Sequence, residues 1–132
     1  MKYYLDTNIY VYLIDKRSEN IFRKINKIDG DNIKIPSIVA AEILHGAEKS
    51  AKVEFNIKRA KEFMSDYEIV AFDEKAAEYY AKIRANLERK GAVIGNNDMF
   101  IAATVIANNG ILVTHNTREF ERIDGLILED WF

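Results

Sequence analysis

Two kinds of apolar pattern alternate along this chain. Short, nearly continuous apolar runs are typical of buried strands, and they occur at residues 3–5, 33–35, 68–72, 111–114 and 126–128. Between these runs, apolar side chains recur every three or four positions, which is typical of helices with one buried face. Strands that alternate with helices predict an α/β fold, here a three-layer α/β/α sandwich around a central, mostly parallel sheet.

Capping residues and glycines predict where the helices begin and end. Helices are expected at residues 9–14, 18–30, 36–48, 51–65, 73–91 and 98–108. Ser18 and Asp73 suit the N-cap position, and Gly30, Gly91 and Gly110 stand where the preceding helices should end. The expected core faces of three helices are Ile21, Phe22, Ile25 and Ile28, then Val53, Ile57, Ala60 and Met64, then Ala76, Tyr80, Ile83 and Leu87.

The composition predicts one domain that spans residues 1–132. Of the 132 residues 48% are apolar, which is enough for a single core. No apolar stretch of about 18 residues predicts a membrane span, and the N-terminus turns polar too early for a signal peptide. There are no cysteines, so disulfides, thiolate zinc sites and cysteine nucleophiles are excluded. We therefore expect a cytoplasmic protein.

The charge distribution allows a nucleic-acid partner without requiring one. The net charge of −2 is unlike that of a general nucleic-acid binder, which usually has a basic domain or face. The basic side chains are nevertheless clustered, at residues 49–61, 84–90 and 118–122. Solvated helix faces are the more ordinary explanation of any one such cluster, so the charge permits an RNA partner without demonstrating it.

Three acids stand in contexts that normally exclude a carboxylate. Asp6 ends the first apolar run, Glu42 lies within a helix that is apolar almost all round, and Asp98 opens the apolar segment 99–107. An ionised carboxylate that is buried without a partner is costly, so acids in such places usually have a cation or a donor beside them. No lysine or arginine is similarly embedded nearby. The three acids therefore suggest a shared divalent cation, and hard oxygen ligands favour Mg²⁺ or Mn²⁺.

Each acid also has an ordinary structural explanation. Asp6 and Asp98 each precede a predicted helix and could cap it, and Glu42 could belong to a structural pair. In a parallel sheet, however, ligands bind at the carboxyl ends of the strands, which is where Asp6 and Asn116 are expected. The three acids taken together point to a site more strongly than any one of them.

The segment at residues 114–120 follows the most strand-like run and could complete the site. Asn116 could bind the ion through its amide oxygen or hold a water, Glu119 could add a fourth carboxylate, and Arg118 could meet a phosphate. A polar loop after a strand is the alternative explanation. His45 and His115 are expected to be structural, because neither is at metal-ligand spacing from another histidine.

Four blocks of this sequence resemble the PIN domain, and more narrowly the VapC ribonuclease toxins of toxin–antitoxin pairs. The blocks are LDTN at residues 5–8, IPS at 35–37 followed by AEILHG at 41–46, IGNNDMFIAA at 94–103, and LVTHNTREF at 112–120. The similarity extends over essentially the whole chain. Taken jointly the four blocks are specific, whereas LDTN alone would be weak.

This resemblance implies a Mg²⁺- or Mn²⁺-dependent endoribonuclease with Asp6, Glu42 and Asp98 as metal-binding, catalytic acids. Many PIN domains have a fourth acid just after the strand that ends here near residue 114. This chain has Asn116 in that place and Glu119 one turn later, so the resemblance leaves both as candidates. Arg118 and Asn8 would contact substrate phosphate.

The resemblance also implies a homodimer that is neutralised by a small antitoxin, whose tail covers the acidic groove. The toxin and antitoxin together would bind DNA through the antitoxin. Two other interpretations compete with an RNA-cleaving enzyme. A phosphoaspartyl phosphatase would need a second aspartate two residues after Asp6, where this chain has Asn8. A PIN-like domain that only dimerises and binds a partner is favoured by Asn116.

Overall fold

The computed structural model describes all residues from Met1 to Phe132. Five short strands form one sheet: β1 (Tyr3–Leu5), β2 (Ile33–Pro36), β3 (Glu68–Val70), β4 (Ile111–Val113) and β5 (Ile127–Glu129). They lie in the order β3-β2-β1-β4-β5, and every neighbouring pair is parallel. The predicted parallel sheet is confirmed, and β1 lies at its centre.

Seven helices flank the sheet. They are α1 (Thr7–Ile14), α2 (Glu19–Lys27), α3 (Ser37–Glu48), α4 (Val53–Met64), α5 (Glu74–Lys90), α6 (Asn96–Ala107) and α7 (Thr117–Phe120). The predicted caps form where expected: the side chains of Ser18 and Asp73 accept backbone N–H bonds from Ile21 and Ala76. Gly91 ends α5 with φ +65°, a conformation that suits glycine. No helix is both long and apolar enough to cross a lipid bilayer.

Two apolar clusters lie on opposite faces of the sheet, because successive side chains of a strand point to opposite sides. Tyr4 and the neighbouring Leu112 belong to the larger cluster, which includes buried residues of α3, α4, α5 and α6. Leu5 and the neighbouring Val113 belong to the smaller cluster, with Ile21 and Ile25 of α2. Both faces of the sheet are covered, which confirms the three-layer sandwich.

Two predictions about which helix faces are buried are wrong. Phe22 is expected in the core but is 62% exposed, because only Ile21 and Ile25 of α2 are buried. Helix α3 was expected to be buried all round. It packs inward through residues such as Val39 and Ile43, whereas its opposite face, with Ala41 and His45, is exposed.

The end of α6 also differs from its prediction. Gly110 was expected to end this helix, but the left-handed residue is Asn109, with φ +53°. Gly110 is required for a different reason: a Cβ at this position would clash with the ring of Tyr4, and Tyr4 is almost completely buried. The glycine therefore allows the chain entering β4 to pass close to the central strand.

Candidate active site

The topology of the sheet brings the candidate residues to one edge. Strands β2, β1 and β4 are neighbours and parallel, so their carboxyl ends lie side by side. Asp6 follows β1 directly, the helix that carries Glu42 begins directly after β2, and Thr114 follows β4. The first turn of α6 adds Asp98, whose pKa is affected by the charges of Asp6 and Glu42. These four elements enclose an acidic site.

Asp6 caps a helix and contributes to the acidic site at the same time. It is the N-cap of α1, and its Oδ1 accepts the N–H of Thr7 at 2.8 Å. Its Oδ2 accepts the hydroxyl of Thr114 at 2.7 Å. Burial raises the pKa of Asp6, which is only 6% exposed; these two hydrogen bonds oppose the rise, and the charge of Glu42 adds to it. The capping explanation is therefore correct without excluding a role in the site.

Glu42 lies on the inner side of α3 at the rim of the site and is half-buried. Its Oε1 accepts the hydroxyl of Thr7 at 2.7 Å, and its Oε2 accepts the amide of Asn97 at 3.5 Å. Neither of these partners carries a charge. No lysine or arginine forms an ion pair with Glu42, so if Glu42 belongs to a structural pair, its partners are these neutral donors.

Asp98 is the acid whose ionisation the surroundings disfavour most. Burial, followed by the charge of Asp6, the side chain of Glu119 and the charge of Glu42, raises its pKa to about 7. Asp98 is not the cap of α6: the N-cap is Gly95, and Asp98 is the third residue of the helix. The capping explanation is therefore wrong for Asp98, and its carboxyl faces three other acids.

Asn116 and Glu119 are linked to each other and to the site. The backbone N–H of Asn116 donates to the hydroxyl of Thr114 at 3.0 Å, and its amide nitrogen donates to Oε2 of Glu119 at 3.3 Å. The segment is not only a polar loop, because residues 117–120 form the short helix α7. That turn directs Glu119 towards Asp98, which explains its effect on the pKa of Asp98.

The other predicted residues lie around this centre with fewer contacts. The amide oxygen of Asn8 is buried and has no hydrogen-bond partner, and Arg118 is exposed on α7 and forms no ion pair. His115 pairs with Asp130 at 3.0 Å, and His45 is exposed on α3. Contact of Asn8 and Arg118 with a phosphate remains a prediction.

The chemistry of the donor set fits a hard divalent cation. All four acids offer oxygen ligands, and no basic side chain forms an ion pair with any of them. As the side chains stand, no three of them converge closely enough to form a ready-made metal shell. The arrangement is therefore a set of mutually repelling carboxylates held by neutral donors, and a cation would relieve the repulsion.

Sequence reasoning missed the donors that hold the acids in place. The hydroxyls of Thr7 and Thr114 bind Glu42 and Asp6, and Asn97 reaches Glu42 from α6. One signal was available, since Thr7 and Thr114 each follow the carboxyl end of a predicted central strand. Their acidic partners were not predictable from spacing, because the hydrogen bond from Thr114 to Asp6 joins residues 108 positions apart.

Comparison with known proteins places the chain among well-defined relatives. The model of the PIN domain family matches residues 3–126. "Ribonuclease VapC2" of Rickettsia felis is 46% identical over 132 residues, 99% of this chain and 98% of the relative. "tRNA(fMet)-specific endonuclease VapC" of Salmonella typhimurium is 38% identical over 131 residues, with the same coverage. The crystal structure of VapBC2 from Rickettsia felis, bound to a DNA fragment from its promoter, superposes with a TM-score of 0.94 at 45% identity and covers 100% of both chains.

Proposed function

This chain belongs to the PIN domain family, and from that premise we propose that it is a metal-dependent endoribonuclease, the toxin of a toxin–antitoxin pair. The observation that carries the proposal is the cluster of four acids at the carboxyl ends of the central parallel strands. Burial, together with the charges of the other acids, raises the pKa of Asp98 to about 7, and no basic side chain pairs with the four acids. The donor set is what a phosphodiesterase that uses a hard cation requires.

In this proposal Asp6, Glu42 and Asp98 bind Mg²⁺, or Mn²⁺ in its place, and Glu119 completes the acidic set. When bound, the ion supplies a Lewis acid for the phosphate and a water of lowered pKa. The neutral donors keep the acids in position: Thr7 and Thr114 fix Glu42 and Asp6. Such outer partners orient the groups that bind the ion.

Asn116, Arg118 and Asn8 have supporting roles in this proposal. Asn116 restrains Glu119 through its amide. Arg118 and Asn8 are proposed to contact phosphates of the RNA strand, and the exposed guanidinium of Arg118, which has no ion-pair partner, supports this role. An acidic pocket repels phosphate until a divalent ion reverses the local charge, so RNA binding here should depend on the metal.

The partners of the relatives guide the proposal for this chain. The VapBC2 structure from Rickettsia felis is bound to a DNA fragment from its promoter. We infer that this chain forms a homodimer, binds a small antitoxin that covers its acidic groove, and with that antitoxin binds DNA. Its site of action would be the cytoplasm, where RNA is available. Co-expression with the product of the neighbouring reading frame, followed by size-exclusion chromatography, tests the pairing.

Cleavage of RNA by the purified protein tests the enzymatic proposal directly. RNA of mixed sequence should be cut with Mg²⁺ or Mn²⁺ and remain intact in EDTA. Asp6→Asn and Asp98→Asn should each lower the rate more than a hundredfold, because loss of an outer partner alone costs about 10- to 100-fold. The matched control is Asp124→Asn, which makes the same change at an exposed acid paired with Lys90.

Two outcomes would contradict the proposal. Equal cleavage by wild type, Asp6→Asn and Asp98→Asn would indicate a contaminant or a different site. No cleavage by any form, together with growth that is unaffected by expression without a partner, would favour the alternative of a PIN-like dimerisation and binding module.

A further inference from the structure

A small cavity adjoins the acidic site on the side of α1, α3 and α4. Its volume is about 220 Å³, and Thr7 and Glu42 line it at the end that meets the acids. Asn56 and Arg59 of α4 also line it, as does Tyr10 of α1, whose hydroxyl pKa is affected by Arg59. Thr7 and Glu42 line the cavity and also belong to the acidic site. A ligand in the cavity would therefore lie next to a ligand in the acidic site.

Arg59 is a half-buried cation without an anionic partner. No ion pair in the structure includes it, whereas Lys34, another largely covered cation, is paired with Glu68 at 2.7 Å. The guanidinium donates from Nη2 to the amide oxygen of Asn56 at 2.9 Å, and its Nε is buried without an acceptor. Charged side chains that lose water normally gain a partner, so Arg59 has capacity for one.

The surroundings of Arg59 hold its guanidinium in one orientation. Its central carbon lies 5.4 Å from the centre of the Phe55 ring, and Asn56 fixes one of its nitrogens. Its charge also reaches Tyr10: burial raises the pKa of the Tyr10 hydroxyl, and Arg59 opposes this rise. A guanidinium fixed in this way is prepared for an anion, because less conformational freedom is lost when it binds.

We propose that Arg59 binds a backbone phosphate of the RNA strand, next to the phosphate that is cut in the acidic site. This inference rests on the proposed ribonuclease function. A guanidinium matches the geometry of phosphate oxygens and can bind two of them at once. The cavity is smaller than the 300–1,000 Å³ or so of typical small-molecule sites, and it shares Thr7 and Glu42 with the acidic site. One flexible strand that contacts both is therefore the occupant that fits.

Under this proposal the two ends of the groove act on consecutive parts of one strand. The acidic end accepts a phosphate only with a divalent cation, and Arg59 accepts the neighbouring phosphate directly. Arg59 is therefore a substrate-binding residue that sets the register of the strand against the acids. Its loss should weaken binding and leave the chemistry of the bound complex largely intact.

The test combines a change in the protein with a change in the RNA. The cleavage point is first mapped on a mixed-sequence RNA, and a single-stranded oligonucleotide of about twelve nucleotides that contains it is then synthesised. A series of these RNAs carries one uncharged methylphosphonate linkage each, at successive positions beside the cleavage point. Wild type, Arg59→Ala and Arg59→Lys are compared with Lys58→Ala, which removes the same charge from an exposed residue of the same helix.

The proposal predicts one sensitive linkage and a specific pattern of variants. Arg59→Ala should raise KM about tenfold to a hundredfold, as expected for a charge-assisted hydrogen bond, with a much smaller change in kcat. A methylphosphonate at one flanking position should raise KM similarly in wild type and have no further effect in Arg59→Ala. The KM of Arg59→Lys should lie between those of wild type and Arg59→Ala, and the KM of Lys58→Ala should equal that of wild type.

Each other outcome overturns the inference. Equal sensitivity to every methylphosphonate in wild type and Arg59→Ala would show that Arg59 contacts no phosphate. An unchanged KM, with weaker inhibition by the co-purified partner protein, would assign the groove to that protein. Thermal unfolding of each variant detects misfolding. If Arg59→Ala is unstable, Arg59→Lys is compared with wild type instead. Absence of cleavage by wild type would instead refute the ribonuclease proposal and is distinguishable from all of these results.

Discussion

Replacing Asp98 by asparagine should stabilise the metal-free protein at alkaline pH. Burial and then the charges of Asp6, Glu119 and Glu42 raise the pKa of Asp98 to about 7, so its ionised form is disfavoured in the folded state. Asparagine has nearly the same size and carries no charge at any pH. The substitution therefore removes the repulsion with little change in packing.

The expected magnitude follows from the shift in pKa. A rise from 3.8 to about 7 corresponds to about 4 kcal/mol, at about 1.4 kcal/mol for each unit. Since Asp98 remains half exposed, solvent screening reduces this to about 2 kcal/mol. The folded state holds its proton more tightly than the unfolded state. The protonated carboxyl of Asp98 therefore stabilises the folded state. This contribution is complete below the unfolded pKa of 3.8 and is lost as the pH rises through about 7.

Denaturant unfolding in excess EDTA measures the effect. Trp131 is the sole tryptophan and packs buried against Tyr3, so its fluorescence reports unfolding. At pH 8.5 we expect Asp98→Asn to be about 2 kcal/mol more stable than wild type, and the difference to shrink towards about 1 kcal/mol near pH 5. Protein concentration is held constant because association adds to the apparent stability. Asp124→Asn, at an exposed acid, should differ from wild type by less than about 0.5 kcal/mol.

Two results would refute this reasoning. If wild-type stability, relative to Asp98→Asn, does not change between pH 5 and pH 8.5, Asp98 does not titrate near neutrality. If Asp98→Asn is the less stable protein at pH 8.5, the ionised carboxylate is stabilised by a donor or a cation rather than repelled by the neighbouring acids.

Four further substitutions test other parts of the site and fold. Glu119→Gln should weaken Mg²⁺ binding more than Asn116→Ala does, because Asn116→Ala only removes a restraint on Glu119 and should lower the Mg²⁺ affinity about tenfold. Isothermal titration measures both affinities. If Asn116→Ala has the larger effect, Asn116 is the ligand. Thr114→Val should lower stability in urea by about 1–3 kcal/mol, because it leaves Oδ2 of the buried Asp6 and the backbone N–H of Asn116 without a partner. Gly110→Ala should cost a similar 1–3 kcal/mol through its clash with the Tyr4 ring, and an unchanged urea midpoint would show that the chain can move away.

The features that sequence predicted correctly depend on local physics. Ser18 and Asp73 cap their helices because a cap needs only a side-chain oxygen beside the first free N–H groups. Gly91 ends α5 because the left-handed conformation suits a residue without Cβ. The parallel sheet followed from alternating strands and helices, and it placed Asp6 and Asn116 at the same edge.

The features that the sequence could not predict depend on which helices and strands pack against each other in the folded protein. An apolar pattern shows which face of a helix can be buried, but it does not show whether a neighbour covers that face. This is why Phe22 and the outer face of α3 were assigned to the core and are exposed. Gly110 was interpreted as a helix stop, because its contact with Tyr4 exists only after β1 and β4 have paired.

The amino-acid order by itself determined the strands, the helix caps at Ser18, Asp73 and Gly91, and the presence of Asp6 at the end of a central strand, because these depend on residues within a turn or two of one another. Tertiary structure alone decided how those acids behave. The hydroxyl of Thr114 reaches Asp6 across 108 positions, and Thr7 reaches Glu42 across 35. The pKa of Asp98 depends on three acids from other elements. Charge and burial act through space, and only the folded chain brings these groups near enough to act on one another.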